Sequence, residues 1–129
     1  MNTGILVLGH GSTLPYNKEL VETISGMIAD QGDIIVRTAF LNMDKPTLKQ
    51  GLESFTGTGV ERIVALPIFL AHGVHTLEDI PKELNLNEEK SAVTEIDGKS
   101  VDIVYADPLG ADACIAELAY KRAEEALSR

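Results

Sequence analysis

The stretch that decides the fold lies at residues 63–81 and reads IVALPIFLAHGVHTLEDIP. The apolar run at its start, residues 63–66, predicts a buried strand, and Pro67 ends the ladder because proline has no N–H to donate. Two of the three histidines of the chain, His72 and His75, follow within four positions, with Gly73 between them. Glycine permits a tight backbone path. The stretch therefore predicts a strand-to-helix junction that presents imidazole to a ligand.

A second junction of this kind lies near the start of the chain. Residues 4–8 form a short apolar run that predicts a strand covered on both faces, and Gly9-His10-Gly11-Ser12 follows it. In an open parallel sheet the carboxyl ends of the strands lie along one edge, where ligands bind. His10 and His75 are therefore predicted to share that edge despite their separation in sequence.

Strand and helix patterns alternate four times along the chain. This order predicts an α/β fold with a doubly wound, mainly parallel four-stranded sheet flanked by helices, similar to half of a flavodoxin-like domain. Thr76 and Asp79 resemble a capping box and predict a short helix there. Residues 85–100 are polar, with Asp97-Gly98 as a turn, and form either a hairpin or a mobile lid. The last helix is predicted to line one face with Ile115, Leu118, Ala119, Ala123 and Ala126.

Length and composition predict one domain over residues 1–129. Hydrophobic residues at 44% and charged residues at 24% are globular values. No apolar run approaches the roughly 20 residues of a membrane span, and Met1 to Gly9 lacks the basic start of a signal peptide. We therefore expect a soluble, cytoplasmic protein with no membrane partner. A net charge of −9 argues against nucleic acid, since binding its backbone needs a basic surface.

The single cysteine, Cys114, limits the possible chemistry. It excludes an intrachain disulfide and any zinc site built from several cysteines. Because Cys114 stands among alanines, we expect a buried small side chain rather than a reactive thiol.

The turn at Gly9 to Ser12 has more than one interpretation. Backbone amides at a helix N-terminus favour anions, so the turn could cradle phosphate. It lacks the spacing of a Rossmann fingerprint or a Walker loop, which makes a phosphate or nucleotide binder the weaker hypothesis. His10 could also merely cap the helix, but the second histidine junction favours a functional role.

Three histidines without a nearby cysteine favour an open, labile metal site. A closed tetrahedral site would need a carboxylate from Glu78 or Asp79, and Asp79 is better explained as a helix cap or as the outer partner of a ligand. Imidazole binds zinc, copper, iron, cobalt and nickel alike, so the ligands do not choose the metal. His72 could instead face inward. Lys45 is a surface lysine unless a carboxylated ligand lies over the same edge.

The sequence resembles the small-type sirohydrochlorin chelatases of the class II chelatase superfamily. The most specific motif is residues 69–76 with 79–81, and three others are Gly9-His10-Gly11-Ser12 with Leu14-Pro15-Tyr16, then Lys45-Pro46-Thr47, and residues 108–112. The resemblance implies ATP-independent insertion of a divalent metal into sirohydrochlorin, a tetrapyrrole rich in carboxylates. The product would serve the nickel tetrapyrrole of methanogenesis or, with cobalt, cobalamin. A metal or tetrapyrrole carrier without turnover is the alternative.

The resemblance also implies roles for individual residues. His10 matches the proton acceptor and a metal ligand, and His75 matches the second metal ligand. Lys45 matches a substrate contact. No cofactor is implied to be permanently bound, because Ni²⁺ or Co²⁺ is the substrate metal, and a homodimer is implied, as the small size of the sheet also suggests. One segment matches the substrate-contacting loop, and its sequence is more similar to that of the nickel-inserting members of methanogens than to that of cobalt-only members. Its residues are Leu70, Ala71, His72, Gly73, Val74 and His75.

Overall fold

The computed structural model describes residues 2–129 as one mainly parallel sheet with helices on both faces. The described residues form ten elements, five strands and five helices. The elements are β1 Thr3–Gly9, α1 Tyr16–Ala29, β2 Ile35–Phe40, α2 Leu48–Glu53, β3 Arg62–Pro67, a π-helix His75–Asp79, α3 Ile80–Leu84, β4 Ser91–Ile96, β5 Lys99–Tyr105 and α4 Ala113–Leu127.

The strand order is β2-β1-β3-β5-β4, and the first four strands in this order are parallel. Leu8 pairs with Pro67, and Ala65 pairs with Tyr105, so the carboxyl ends of β1, β3 and β5 lie at one edge. The predicted mainly parallel α/β fold is confirmed.

The polar segment 85–100 supplies a hairpin arm rather than a lid. Strand β4 pairs antiparallel with β5. The turn between them holds Asp97 and Gly98, which both have positive φ, at 56° and 76°. Two positive φ values in succession are typical of the tight turns that join antiparallel strands. The sheet therefore has five strands instead of the four predicted.

The sheet buries a different set of apolar side chains on each face. Helices α2 and α3 cover one face with a core that includes Leu6, Ile63 and Ile103. Helix α1 covers the other face through Val21, which packs with Val7 and Phe40. Because side chains alternate along a strand, the residues next to Leu6, Ile63 and Ile103 in sequence point to the face that α1 covers.

The capping prediction at Thr76 is wrong. The hydroxyl of Thr76 bonds to Gly73 instead, and the π-helix that contains it begins without a side-chain cap. The real capping box is at Thr47 and Gln50, at the start of α2, where each side chain accepts a bond from the backbone N–H of the other. Both threonines carry a suitable residue three positions on, so the local pattern alone does not separate them.

Helix α4 does not pack on its own sheet. None of its 15 residues is buried, and Cys114 is exposed, so the prediction of a buried cysteine is wrong. The reason lies in the connection before α4, which runs beside the segment that follows β3. Leu109 N–H donates to Phe69 C=O over 2.8 Å and Gly110 N–H to Leu70 C=O over 2.7 Å. These bonds carry the start of α4 past the edge of the sheet. No helix among residues 2–129 has the length and apolar character to cross a membrane.

Candidate metal centre

Two imidazoles meet at the carboxyl edge of the sheet. His10 follows β1, and His75 begins the π-helix after β3. Their Nε2 atoms lie 2.9 Å apart, with ring centroids 4.5 Å apart and ring planes at 76°. His10 is exposed, and the side chain of His75 is 37% exposed. The predicted common edge is confirmed, and the pair is open to solvent.

The turn that carries His10 is tied to the chain after β2. Asn42 N–H donates to the carbonyl of His10 over 3.1 Å, and the side chain of Asn17 accepts from Gly11 N–H over 2.8 Å. Gly11 has φ +85°, and a Cβ added there would lie 1.7 Å from the carbonyl oxygen of Asn42. Only glycine fits this close approach, which fixes the direction in which His10 leaves the strand.

The ring of His75 is oriented by Asp79. The Oδ2 atom of Asp79 lies 2.7 Å from Nδ1 of His75, one turn away on the π-helix. Short π-helical segments occur frequently at functional sites. A carboxylate on the far nitrogen of a ligand imidazole fixes its tautomer and orientation. Asp79 thus occupies the position predicted for the outer partner of a ligand.

The hydrogen bonds of the pair assign both tautomers. Nδ1 of His10 lies 2.9 Å from the carbonyl oxygen of Gly11, and Nδ1 of His75 faces the carboxylate of Asp79. Carbonyl and carboxylate oxygens only accept, so both Nδ1 atoms carry hydrogen, and in the neutral rings both Nε2 atoms present a lone pair. Two lone pairs at 2.9 Å repel each other unless a proton or a metal cation lies between them. The pair can therefore take up a proton or a metal cation between its rings.

A divalent metal fits with a small movement. At about 2.0–2.1 Å from each nitrogen, tetrahedral geometry requires the two Nε2 atoms to be about 3.3 Å apart. Opening the observed 2.9 Å by about 0.4 Å is within the reach of side-chain rotation. Among residues 2–129 no group of three or more His, Cys, Asp or Glu side chains converges on one point, so the two imidazoles form the candidate centre.

The other predicted site residues make no hydrogen bond to the pair. Nδ1 of His72 lies 3.1 Å from the hydroxyl of Thr76, and His72 is exposed rather than inward-facing. Lys45 is exposed on the connection after β2. The rest of the predicted loop is exposed as well, and its contact with a substrate stays a prediction; these residues are Leu70, Ala71, Gly73 and Val74.

Two residues near the site were missed by the sequence analysis, Thr76 and Tyr105. The hydroxyl of Tyr105, at the end of β5, donates to the carbonyl of Thr76 over 3.0 Å. Burial, with a smaller contribution from the charge of Asp107, raises the pKa of Tyr105 to about 12, so the phenol keeps its proton. The position of Tyr105 at the carboxyl end of a strand is the one sequence feature that could have indicated it.

Asp107 is itself held ionised by Lys90. The ammonium of Lys90 lies 3.0 Å from the carboxylate, and its hydrogen bond and charge keep the pKa of Asp107 below the ordinary value. The pair joins the start of β4 to the end of β5, beside the ring of Tyr105.

The fold and the histidine pair define a class: a doubly wound α/β protein with two facing imidazoles at the carboxyl edge of its sheet. The model of the CbiX family matches residues 4–126, and the chain belongs to that family. The resemblance drawn from the sequence motifs is thereby confirmed.

Two relatives agree with the assignment of this chain to the CbiX family. A sirohydrochlorin cobaltochelatase of Methanosarcina barkeri is 53% identical over 125 residues, which cover 96% of each chain. A second, from Methanopyrus kandleri, is 39% identical over 138 residues, covering 95% of this chain and 96% of the relative.

Two solved structures share the fold. The CbiX protein of Marinobacter aquaeolei, described as a putative cobalamin biosynthesis protein, is 25% identical with a TM-score of 0.76, covering 100% of this chain and 98% of that one. The sirohydrochlorin chelatase SirB of Bacillus subtilis subspecies spizizenii, solved with cobalt, is 24% identical with a TM-score of 0.80. It matches 97% of this chain, which spans 51% of the longer SirB chain.

Proposed function

We propose that this protein is an enzyme, a lyase that inserts a divalent metal, nickel or cobalt, into sirohydrochlorin without ATP. The observation that carries the proposal is the pair of Nε2 lone pairs of His10 and His75, 2.9 Å apart at an open edge. Such a pair can take a metal from solution and release it. Relatives that match nearly the whole chain are named sirohydrochlorin cobaltochelatases, which supports this substrate.

The proposed reaction exchanges protons for a metal on one face of the macrocycle. Two pyrrole N–H protons must leave while the ion sheds its water. His10 and His75 hold the ion, and His10 accepts a proton as ring nitrogens replace the imidazoles, since a neutral imidazole nitrogen can act as a general base. Asp79 keeps the ring of His75 in position during this exchange.

The surroundings of the pair suit a flat ring that carries acidic groups. The loop that holds His75 exposes Leu70, Val74 and Leu77, with 64%, 62% and 61% of their surface accessible. Exposed apolar side chains clustered in one loop are typical of a binding surface. We propose that they meet the face of the macrocycle and that Lys45 meets one of its carboxylates, a local attraction in a protein whose net charge is −9.

The metal remains part of the proposal because imidazole ligands accept both candidates. Nickel would supply the tetrapyrrole of methanogenesis, and cobalt would supply cobalamin. We also propose that the metal is a substrate rather than a resident cofactor, and that the protein works in the cytoplasm, where a free exposed thiol such as that of Cys114 stays reduced.

The test follows the absorbance of metal-free sirohydrochlorin after addition of Ni²⁺ or Co²⁺. We expect insertion well above the spontaneous rate. His10→Ala and His75→Ala should each abolish the increase while leaving circular dichroism and melting temperature near wild type, since neither side chain is buried. If the two imidazoles act as one unit, the double variant loses no more than either single variant.

The same assay separates the alternatives. A carrier would bind Ni²⁺, Co²⁺ or sirohydrochlorin stoichiometrically without raising the insertion rate, which would refute the enzymatic proposal. A nucleotide or phosphate binder would show a higher melting temperature with nucleotides and no change with tetrapyrroles.

We further propose that the protein works as a homodimer in which helix α4 of one copy covers the sheet of the other. Helix α4 has an apolar face with no partner among the described residues. The sheet, in turn, lacks a helix where β3 and β5 face the side of α1, since α1 packs on β1 and β2. Val64 and Val104 pair across these strands and are only half-buried. An unpartnered helix and an uncovered face in one chain suit mutual exchange.

A mixing experiment tests the exchange. Val104→Glu damages the sheet face, and Leu118→Glu damages the helix, so each variant alone should be monomeric by light scattering. In the mixture, the intact helix of the first fits the intact face of the second, and dimers should return. Lys121→Glu, on the polar side of α4, is the control and should stay dimeric. A monomeric wild type, or a mixture without dimers, would contradict the proposal.

A further inference from the structure

We infer that Thr76 and Tyr105 are positioning residues that hold the turn of His75 so that its Nε2 faces that of His10. This inference rests on the proposed function, because it concerns the same metal centre. It assigns the hydroxyls of two residues a task that sequence motifs do not reveal.

The loop before His75 is not held by packing of its side chains. Leu70 and Val74 are mostly exposed, and Ala71 and Gly73 are exposed as well. A segment with few buried apolar contacts keeps one conformation only if hydrogen bonds fix it. The position of His75 therefore depends on the polar contacts of its neighbours.

The hydroxyl of Thr76 provides such contacts on one side of His75. It accepts from Gly73 N–H over 2.8 Å, and it lies 3.1 Å from Nδ1 of His72 and 3.2 Å from the carbonyl oxygen of Gly73. A hydroxyl has one donor and two acceptor sites, enough to bond all three partners when Nδ1 of His72 carries hydrogen. Thr76 is 2% exposed, and water has little access to replace these bonds. The turn from Gly73 to Thr76 is closed by this one group.

The hydroxyl of Tyr105 fixes the other side. It donates to the carbonyl of Thr76 over 3.0 Å, across 29 positions of sequence. The ring of Tyr105 packs against the main core, so the donor is attached to the rigid part of the sheet. The first turn of the π-helix is thereby bonded to strand β5. His75 lies directly before Thr76, the residue that contacts both Gly73 and Tyr105.

This arrangement also gives His72 a task different from metal binding. Its Nδ1 lies 3.1 Å from the hydroxyl of Thr76 and either donates to it or accepts its hydrogen, depending on the tautomer of His72. In both cases His72 supports the turn from outside.

The test measures binding of Co²⁺ alone, in the absence of tetrapyrrole, from the visible absorbance of the bound ion. Thr76→Val keeps the shape and removes the hydroxyl, and Thr76→Ser keeps the hydroxyl. We expect Thr76→Val to weaken Co²⁺ binding by about fivefold or more, the factor that corresponds to one net hydrogen bond, because the turn would no longer hold His75 facing His10. Thr76→Ser should bind as wild type does, and Tyr105→Phe should bind Co²⁺ more weakly.

Ser25→Ala is the matched control, because it removes a buried hydroxyl that bonds to Val21 on α1, away from the centre. It should lose stability but keep wild-type Co²⁺ affinity and an unchanged absorbance spectrum. If Thr76→Val does not fold, Tyr105→Phe decides the matter. Unchanged Co²⁺ affinity in Tyr105→Phe would overturn the inference. A protein that binds Co²⁺ but lacks insertion activity would refute only the proposed function.

Discussion

Replacing Gly11 by alanine tests whether the close approach to Asn42 fixes the turn that carries His10. The new Cβ would lie 1.7 Å from the carbonyl oxygen of Asn42, whereas real Cβ contacts stay above 3.0 Å. The turn and the end of β2 must therefore separate by at least 1.3 Å, the difference between these two distances.

The cost follows from what that separation breaks. Asn42 N–H bonds to His10 C=O and Leu41 N–H bonds to Gly9 C=O, both at 3.1 Å, and each bond contributes about 1 kcal/mol net. The φ of +85° adds about 1–2 kcal/mol for any residue with a Cβ. The free energy of unfolding should therefore fall by about 3–4 kcal/mol.

Urea unfolding followed by circular dichroism measures this loss. Gly98→Ala is the matched control, since Gly98 has φ +76° in the hairpin turn but open space around it. That variant should lose only the conformational part, about 1–2 kcal/mol. Equal losses in the two variants would refute the argument, because the approach to Asn42 would then contribute nothing.

Three further predictions concern the site and its charges. Asp79→Asn should weaken Co²⁺ binding about 10–100-fold, because His75 loses its charged acceptor; a titration that matches wild type would contradict this. The pKa of Tyr105 is raised from 10.0 to about 12, so between these values the folded state binds more protons than the unfolded chain, and stability should fall as pH rises. Tyr105→Phe should lack that decline in alkaline unfolding curves, and parallel curves would disprove it. The pKa of Asp107 is lowered by Lys90, so the contribution of the pair is present above the ordinary value of 3.8 and disappears as pH falls through the folded pKa. Lys90→Met should therefore differ from wild type at neutral pH and converge with it in acid, and a constant difference would count against the pair.

The sequence allowed the position of the histidine pair to be predicted because the evidence for it is local. Apolar runs before Gly9 and Pro67 indicate buried strands, and the topology of parallel sheets brings their ends to one edge. His10 and His75 are separated by 65 positions, yet each is placed by its own strand.

The contacts that support the pair could not be predicted in the same way. The bond from Tyr105 to Thr76 depends on β5 lying beside β3, which no local pattern encodes. Thr76 and Asp79 match a capping box in sequence, but the tertiary structure uses both side chains elsewhere. Cys114 was expected to be buried because it stands among alanines, but none of the residues of α4 is buried.

The course of residues 106–112 has a practical consequence for immobilisation and affinity tagging. A tag fused after Arg129 is attached to α4. The connection before α4 is hydrogen-bonded to Phe69 and Leu70, which lie just before the loop that leads to His75. At the opposite end of the chain, Asn2 lies at the amino ends of the parallel strands, where its carbonyl accepts from Glu61 N–H. Surface attachment through that end leaves the imidazoles facing the liquid and undisturbed.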